Sequence, residues 1–439
     1  MTTLTTTLTT TLTTTLTLTL TLTLTLTLTL TLTLTLTTTE PGGSRPLEQA
    51  PEILEAVAES LGMTLVRLHR FSIETTARGF TAGYTIELDP GTQTTESHTV
   101  YLESNPTKRD RPGVLAFRDE QTGETVAAWL YPNDPELPAL AAAVYPDAAQ
   151  VLLARLGLHA SSLVVTIAAY RPGKRAVVRM VAPEFTVYFK VVRPAAAGPL
   201  HARHVFWGAA GVPVPRSRGW SADGFIALES VHGVEASQVV AQFSPEPFLD
   251  ELDRITTEIG LIESSGPARV SLSARLPWYV QRTGSLLPAE SPRITALGAA
   301  IERMRAAAIP AAPVTVHGDL HLGQIFLDPD TLDSPRISGV LDIDTAGLGD
   351  PADDAAALYA HLVVSALHHD DHSNPESAEG CRVLAARARS RWPRRGEQFL
   401  NRARYIAATH LLGHVLTPGA HSATLLGAAT ELVVDPASA

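Results

Sequence analysis

The chain has 439 residues, 45% hydrophobic and 18% charged, which leaves room for two or three globular domains. Its formal net charge of −11, with no long Lys/Arg run, argues against nucleic acid or an anionic membrane as the main partner. One cysteine, Cys381, excludes an internal disulfide and a Cys-based zinc site, and fits a reducing cytoplasm.

After Met1, residues 2–39 are Thr and Leu only, alternating strictly from Leu16 to Leu36. Period-two patterning gathers the leucines on one face only if the segment is a strand. Thr at every second position makes a poor membrane-spanning helix, and no Lys or Arg precedes Arg45, so a secretory signal is not expected. The run is uncharged, free of Pro and β-prone, and reads as a disordered tail or a self-associating β ribbon. With the linker Pro41-Gly42-Gly43-Ser44 it makes a low-complexity segment, 1–45.

Residues 46–150 read as a small α+β unit. Ile53, Leu54, Val57 and Leu61 have helical spacing over Pro51–Leu61, with Gly62 as the stop. Strand-like runs follow at Gly83–Leu88 and His98–Leu102. Val114–Arg118 and Thr125–Tyr131 flank Asp119-Glu120-Gln121-Thr122-Gly123-Glu124, which reads as a hairpin turn. No metal-spaced or nucleophile-spaced set occurs here. Pro138–Leu156 reads as a helical connector interrupted near Pro146.

Residues 151–232 are β-rich. Leu163–Tyr170 and Arg175–Val181 are joined by Arg171-Pro172-Gly173-Lys174, and Phe185–Val192 is a third strand interrupted by Lys190. A Lys inside an apolar run needs a partner, because burying an unpaired ammonium is costly. Between Val191 and Arg218 there is neither Glu nor Asp.

Residues 233–439 are read as mainly helical, with amphipathic spans at Pro247–Ile262, Arg293–Ala308, Asp354–Leu367, Ala378–Arg391 and Gly396–Leu416. Within them, VTVHGDLHLGQIF and ISGVLDIDTAGLGDPADD carry short apolar runs at Val314–Val316, Ile325–Leu327 and Ile337–Leu341, read as buried strands. Asp319 follows the first, Gln324 opens the second and Asp342 ends the third. Phosphoryl transfer needs such a set: a carboxylate to orient and deprotonate a hydroxyl, and an amide plus a carboxylate to hold Mg²⁺ on nucleotide phosphates. Each residue alone could be a turn or helix cap; the ordered set at these offsets is read as catalytic. His317 is assigned a bracing role by hydrogen bonding. His368-His369-Asp370-Asp371-His372 is read as a solvated loop tip rather than a metal cluster.

His317-Gly318-Asp319, four residues, then Gln324, followed by Asp342, Asp350-Pro351 and Asp354, resembles the aminoglycoside phosphotransferase and choline kinase branch of the kinase-like fold. The wording HGDLHLGQ, with Gln for Asn, is closest to maltokinase and glucosamine kinase relatives. The resemblance implies an α+β, two-lobed protein-kinase-like fold: a β-rich N-lobe (151–232), a helical C-lobe (233–439) and an N-terminal cap (46–150). It implies ATP and Mg²⁺ as cofactors. Asp319 would be the catalytic base, Gln324 and Asp342 the metal ligands assisted by Asp344, and Lys190 the contact to the α/β-phosphates. The backbone around Ala227 and Glu229 would meet the adenine. Arg171 and Lys174 sit where the phosphate-covering hairpin belongs, so they either face phosphates or form a solvated turn. The Glu that pairs with the phosphate-holding Lys is missing from the expected helix, so that ion pair is absent or comes from elsewhere. Asp342 to Asp354 leaves no room for a peptide-docking activation segment, and Gly318 replaces the Arg that senses its phosphorylation, which points to a small-molecule hydroxyl acceptor. A sugar, amino sugar or aminoglycoside is expected, the acidic charge favouring a cation. The alternatives are a non-catalytic nucleotide- or sugar-binding relative and a scaffold assembled by the Thr/Leu tail. The sequence sets no oligomeric state.

Overall fold

The computed structural model describes residues 31–32, 49–76, 79–92, 94–104, 111, 113–118, 123–264, 266–417 and 421–434. The chain forms two units, Met1–His201 with Arg218–Leu228, and Ala202–Ser217 with Glu229–Ala439.

In the first unit, α1 (Ala50–Ser60) carries Pro51 in its opening turn, where the missing N–H would have no helical partner, and ends before Gly62 at φ 72. Its buried Ile53, Leu54 and Val57 share a core with a sheet of six strands among the described residues: β1 (Thr31–Leu32), β2 (Thr64–Thr76), β3 (Gly79–Asp89), β4 (Glu96–Ser104), β5 (Val114–Arg118) and β6 (Thr125–Leu130), ordered β1-β5-β6-β4-β3-β2. Along β3, Phe80, Ala82, Tyr84, Ile86 and Leu88 are buried at every second position. The expected strands at 83–88 and 98–102 are the middles of β3 and β4. β5 and β6 pair antiparallel as expected, Arg118 opposite Thr125, while 119–122 of the turn lie outside the described residues. So do the linker and the Thr/Leu segment, apart from Thr31–Leu32. β2 escapes the pattern reading. Its ladder with β3 slips between Leu65 and Arg67 and between Arg70 and Ser72, and each bulge resets the alternation that a sequence would display.

The unit's second core lies between α2 (Leu140–Val144), α3 (Pro146–Arg155) and a sheet ordered β10-β11-β9-β8-β7. These strands are β7 (Val164–Arg171), β8 (Arg175–Ala182), β9 (Phe185–Val192), β10 (Ser217–Ser221) and β11 (Phe225–Glu229). The connector breaks where expected: Pro146 forces Tyr145 out of the helical region, to φ −82 and ψ 119. Phe189 of β9 stacks on Phe225 of β11 with centroids 4.7 Å apart. The β7–β8 turn is held from below by Asp134, only 2% exposed. Its Oδ2 accepts from the Tyr170 hydroxyl (2.9 Å) and the Gly173 N–H (2.6 Å), and its Oδ1 accepts from the Glu136 N–H (2.8 Å). Burial and then the Asp134 charge push the Tyr170 phenol up.

The second unit is mainly helical. α4 (Pro194–Ala209) spans the boundary, and α5 (Pro245–Gly260), α6 (Leu276–Leu286), α7 (Ser291–Ala307), α8 (Ala352–Asp371), α9 (Pro375–Arg391), α10 (Glu397–His414) and α11 (Ser422–Val433) follow. α8 packs on α9 and α10, and α10 on α11 and α7. α6 and α11 are additions to the expected set. α8 also runs further than the pattern suggests: the histidines at 368 and 369 lie in its last turn, and Ser373 at φ 55 ends it, so the expected polar loop begins later. Among the described residues no helix is long and apolar enough to cross a membrane.

Asp134→Ala would leave the half-buried donors of Tyr170 and Gly173 without this acceptor. Chemical unfolding should show a loss of about 3 kcal/mol, the worth of roughly two charge-assisted hydrogen bonds. A loss below about 0.5 kcal/mol, the size of an ordinary surface substitution, would contradict this role.

Candidate active site

Five short strands of the second unit set the site: β12 (Val234–Glu235), which pairs with β14, then β13 (Val314–Val316), β14 (Ile325–Leu327), β15 (Ile337–Val340) and β16 (Gly347–Gly349). β13 pairs antiparallel with β16, and β14 with β15, Ile325 opposite Val340. The ladder continues one step: the Leu341 N–H donates to the Gln324 carbonyl at 2.8 Å. Gln324 is therefore opposite the residue before Asp342, and the two expected metal ligands come to one end of one ladder.

The loop bearing Asp319 is fastened at several points. His317 is fully buried, and its Nε2 donates to the Leu341 carbonyl at 2.7 Å, the bracing role expected of it. Asp354, on the first turn of α8, accepts from the His317 N–H (2.8 Å) and the Gly318 N–H (2.7 Å). Burial pushes the Asp354 carboxyl up, opposed by His317 and these N–H donors. The Thr345 hydroxyl donates to the His317 carbonyl at 2.9 Å. Gly318 sits at φ 84, and a Cβ there would lie 2.7 Å from the Thr345 carbonyl oxygen, so both backbone conformation and space demand glycine.

Asp342 adopts the left-handed conformation, φ 56 and ψ 40, unusual for a non-glycine residue and frequent at functional sites. It opens a short 3₁₀ turn, Ile343–Thr345. Arg203 of α4 holds that turn: its Nη1 donates to the carbonyls of Ile343 (2.9 Å) and Asp344 (2.8 Å). The helix from which an acid is missing thus supplies a cation, spent on the backbone beside Asp342. Gln324 is buried, and its Oε1 has no hydrogen-bond donor among the described residues. A buried acceptor without a donor calls for an explanation, and an oxygen ligand for a cation is one. Among the described residues no three His, Cys, Asp or Glu side chains converge on one ion position. Mg²⁺ does not need three, because it takes one or two protein oxygens and completes its shell with phosphate and water. The residues present fit that ion.

The sequence reading misses the partner of Asp319. Arg269 engages it with both arms, Nη1 to Oδ2 at 3.0 Å and Nη2 to Oδ1 at 2.9 Å. Arg269 is held by its backbone: its N–H donates to the Thr345 carbonyl (2.8 Å), and next to it Ala268 N–H donates to Leu348 O (2.9 Å) and Leu348 N–H to Gly266 O (2.9 Å). Gly347 makes room, since a Cβ there would lie 2.5 Å from the Ala268 nitrogen. Histidines gather beside this pair. His321 stacks on His361 of α8 with centroids 4.4 Å apart, and His361 meets His414 of α10 at 4.9 Å. His410 lies one turn before His414. Burial pushes all four imidazoles down, His361 to about 2 and His410 to about 3. The spacing of His410 and His414, one above the other on a helix face, is the one hint the sequence carried.

Of the remaining expected residues, Lys190, Arg171, Lys174 and Ala227 belong to the first unit and Glu229 to the second. Lys190 of β9 is 3% exposed and stands opposite Val177 of β8. Arg171 and Lys174, both exposed, pair with the half-exposed Glu74 of β2, the former at 3.1 Å, an arrangement that agrees with a solvated turn. Burial pushes the Glu74 carboxyl up, but Lys174 and Arg171 outweigh it and hold it below the usual range. The Gly173 N–H of the same turn is already bonded to Asp134. Ala227 is buried in β11, and the Glu229 N–H donates to the Arg216 carbonyl at 2.9 Å.

No curated protein matches the chain. Among solved structures it is similar to aminoglycoside phosphotransferase APH(4)-Ia in complex with ADP and hygromycin B, at 14% identity over 64% of this chain and 96% of that one, with a TM-score of 0.45. It is also similar to an aminoglycoside-3'-phosphotransferase of type VIII (21% identity, 62% and 98% covered, TM-score 0.41). A third is aminoglycoside phosphotransferase APH(3'')-Id from Streptomyces rimosus (22%, 61% and 96%, TM-score 0.38). The model of the phosphotransferase enzyme family matches residues 193–371, a span that takes in α4, both site loops and α8.

Proposed function

We propose that the chain is an ATP- and Mg²⁺-dependent phosphotransferase that moves the γ-phosphate of ATP to a hydroxyl of a small molecule, in the class of sugars, amino sugars and aminoglycosides. The observation that supports this reading is the fastening of two loops into one body, with Asp319 and the donorless Gln324 oxygen on the first and Asp342 on the second. Phosphoryl transfer is catalysed mainly by positioning and by electrostatic stabilisation, so rigid placement of these groups is what the chemistry asks for.

Asp319 orients the acceptor hydroxyl and takes its proton as the oxygen attacks the γ-phosphorus, whose bond to the β–γ bridging oxygen breaks to release ADP. Gln324 and Asp342, with Asp344 beside them, would hold Mg²⁺. When bound, that ion supplies positive charge to the phosphate oxygens. Lys190 contacts the α/β-phosphates, and the backbone at Ala227 and Glu229 meets the adenine. Arg171 and Lys174 pair with Glu74 on the surface, an exposed contact that a phosphate could displace. A second reading, a nucleotide-binding relative without turnover, draws on the Arg269–Asp319 pair and on the absence of an acid from α4.

Two outcomes follow. Asp319→Asn should bind nucleotide as the wild type does and lose at least about a hundredfold in transfer rate, the loss expected on removing a general base. An unchanged rate would sink the assignment of the base. Asp342→Ala should abolish the gain in ATP affinity on adding Mg²⁺, read by calorimetric titration of ATP in Mg²⁺ and in a chelator. A variant that keeps the gain would show that the metal is held elsewhere.

A further inference from the structure

Helix α4 offers the site no carboxylate, yet it is fastened to it through Arg203. The Nη1 nitrogen carries two N–H groups, and each has a carbonyl: Ile343 O at 2.9 Å and Asp344 O at 2.8 Å. The next carbonyl, Thr345 O, accepts from the Arg269 N–H at 2.8 Å. Three successive carbonyls of the turn after Asp342 are thus held by donors from outside it. On the other side of Asp342, the Leu341 N–H is tied to the Gln324 carbonyl at 2.8 Å. Asp342 stands between these anchors in the left-handed region, at φ 56 and ψ 40. A residue with a Cβ keeps that conformation only where its surroundings impose it.

We propose that Arg203 is a positioning residue for the metal side of the site: its two hydrogen bonds hold the turn after Asp342 and so aim the Asp342 carboxylate at Mg²⁺ on the nucleotide phosphates. This rests on the phosphotransferase reading and deepens its metal site. Arg203 acts through the backbone. By clamping the carbonyls of 343 and 344 it fixes the peptide planes on the C-terminal side of Asp342, while the Leu341–Gln324 bond fixes the N-terminal side. Asp344 is placed by the same contact, since its own carbonyl is one of the two. Groups that orient a metal ligand without touching the ion typically change metal affinity by about 10–100-fold. The task suits arginine, whose planar guanidinium presents both N–H groups at a fixed angle; an ammonium on a flexible stem does not. Helix α4, which lacks the acid expected of it, then serves the nucleotide site by a clamp on carbonyls.

The test measures ATP affinity by calorimetry for the full chain, in Mg²⁺ and in a chelator, as wild type, Arg203→Met and Arg203→Lys. All three proteins should bind ATP alike in the chelator, which separates loss of position from loss of structure. In Arg203→Met the gain in affinity that Mg²⁺ brings to the wild type should shrink by about tenfold or more. Arg203→Lys keeps the charge but not the fork, and should lose a comparable part. A gain as large in both variants as in the wild type would overturn the role of Arg203 and leave the phosphotransferase reading intact. A full gain in Arg203→Lys beside a loss in Arg203→Met would assign the effect to charge, which Arg203 also exerts on Asp344, and would overturn the positioning role as well. Weaker ATP binding by both variants in the chelator would do the same, by showing that Arg203 supports the fold at large. A wild type whose ATP affinity does not respond to Mg²⁺ would bring down the metal assignment itself, and the role of Arg203 with it.

Discussion

The site depends on one carboxylate that does no chemistry. Asp354, buried at the start of α8, takes the N–H groups of His317 and Gly318 and so decides where Asp319 stands. Hydrogen bonds to a charged group contribute about 1.5–3 kcal/mol each. Fixing a residue's backbone costs about 1–2 kcal/mol. Two such bonds therefore offset the ordering of two or three loop residues, about the length from His317 to Asp319. The His317 bond to Leu341 and the Thr345 bond to His317 then carry this order across to the metal-side turn. Glycine at 318 follows from the same closeness: there is no space for a side chain against Thr345.

Around this frame the charges follow a pattern. Two arginines, Arg203 and Arg269, bind groups that the reaction does not consume, the first by backbone carbonyls beside Asp342 and the second by the carboxylate of Asp319. Arg269 is 35% and Asp319 26% exposed, so screening keeps their attraction to about 1 kcal/mol or less. A hydroxyl can join that carboxylate without first breaking a deep ion pair. The Asp319 oxygens are held in place more firmly than they are held back.

Much of this was legible in the sequence, and the reasons differ by element. β9, β13 and β14 match their expected spans because each is a short apolar run bounded by turn residues. Asp319, Gln324, Asp342 and Asp354 were singled out by their order and offsets, and the hydrogen bonds of His317, Gly318 and Gln324 bring the segments that carry them together. β2 was not readable, since its two bulges erase the alternation. Arg269 was not readable either: its side-chain link to Asp319 spans 50 residues, and the backbone pairing of Arg269 with Thr345 and of Ala268 with Leu348 leaves no local pattern. Arg171 and Lys174 looked like phosphate ligands because a basic turn looks the same whether it awaits an anion or already has Glu74.

The most direct measurement is phosphorus NMR of Mg²⁺-ATP incubated with the full chain and a mixture of sugars, beside the same incubation with Asp319→Asn. The account predicts a new phosphomonoester signal that grows as the γ-phosphate signal of ATP falls, in the wild type alone and only with Mg²⁺ present. ATP left unchanged, or a phosphomonoester formed equally by the variant, would contradict it.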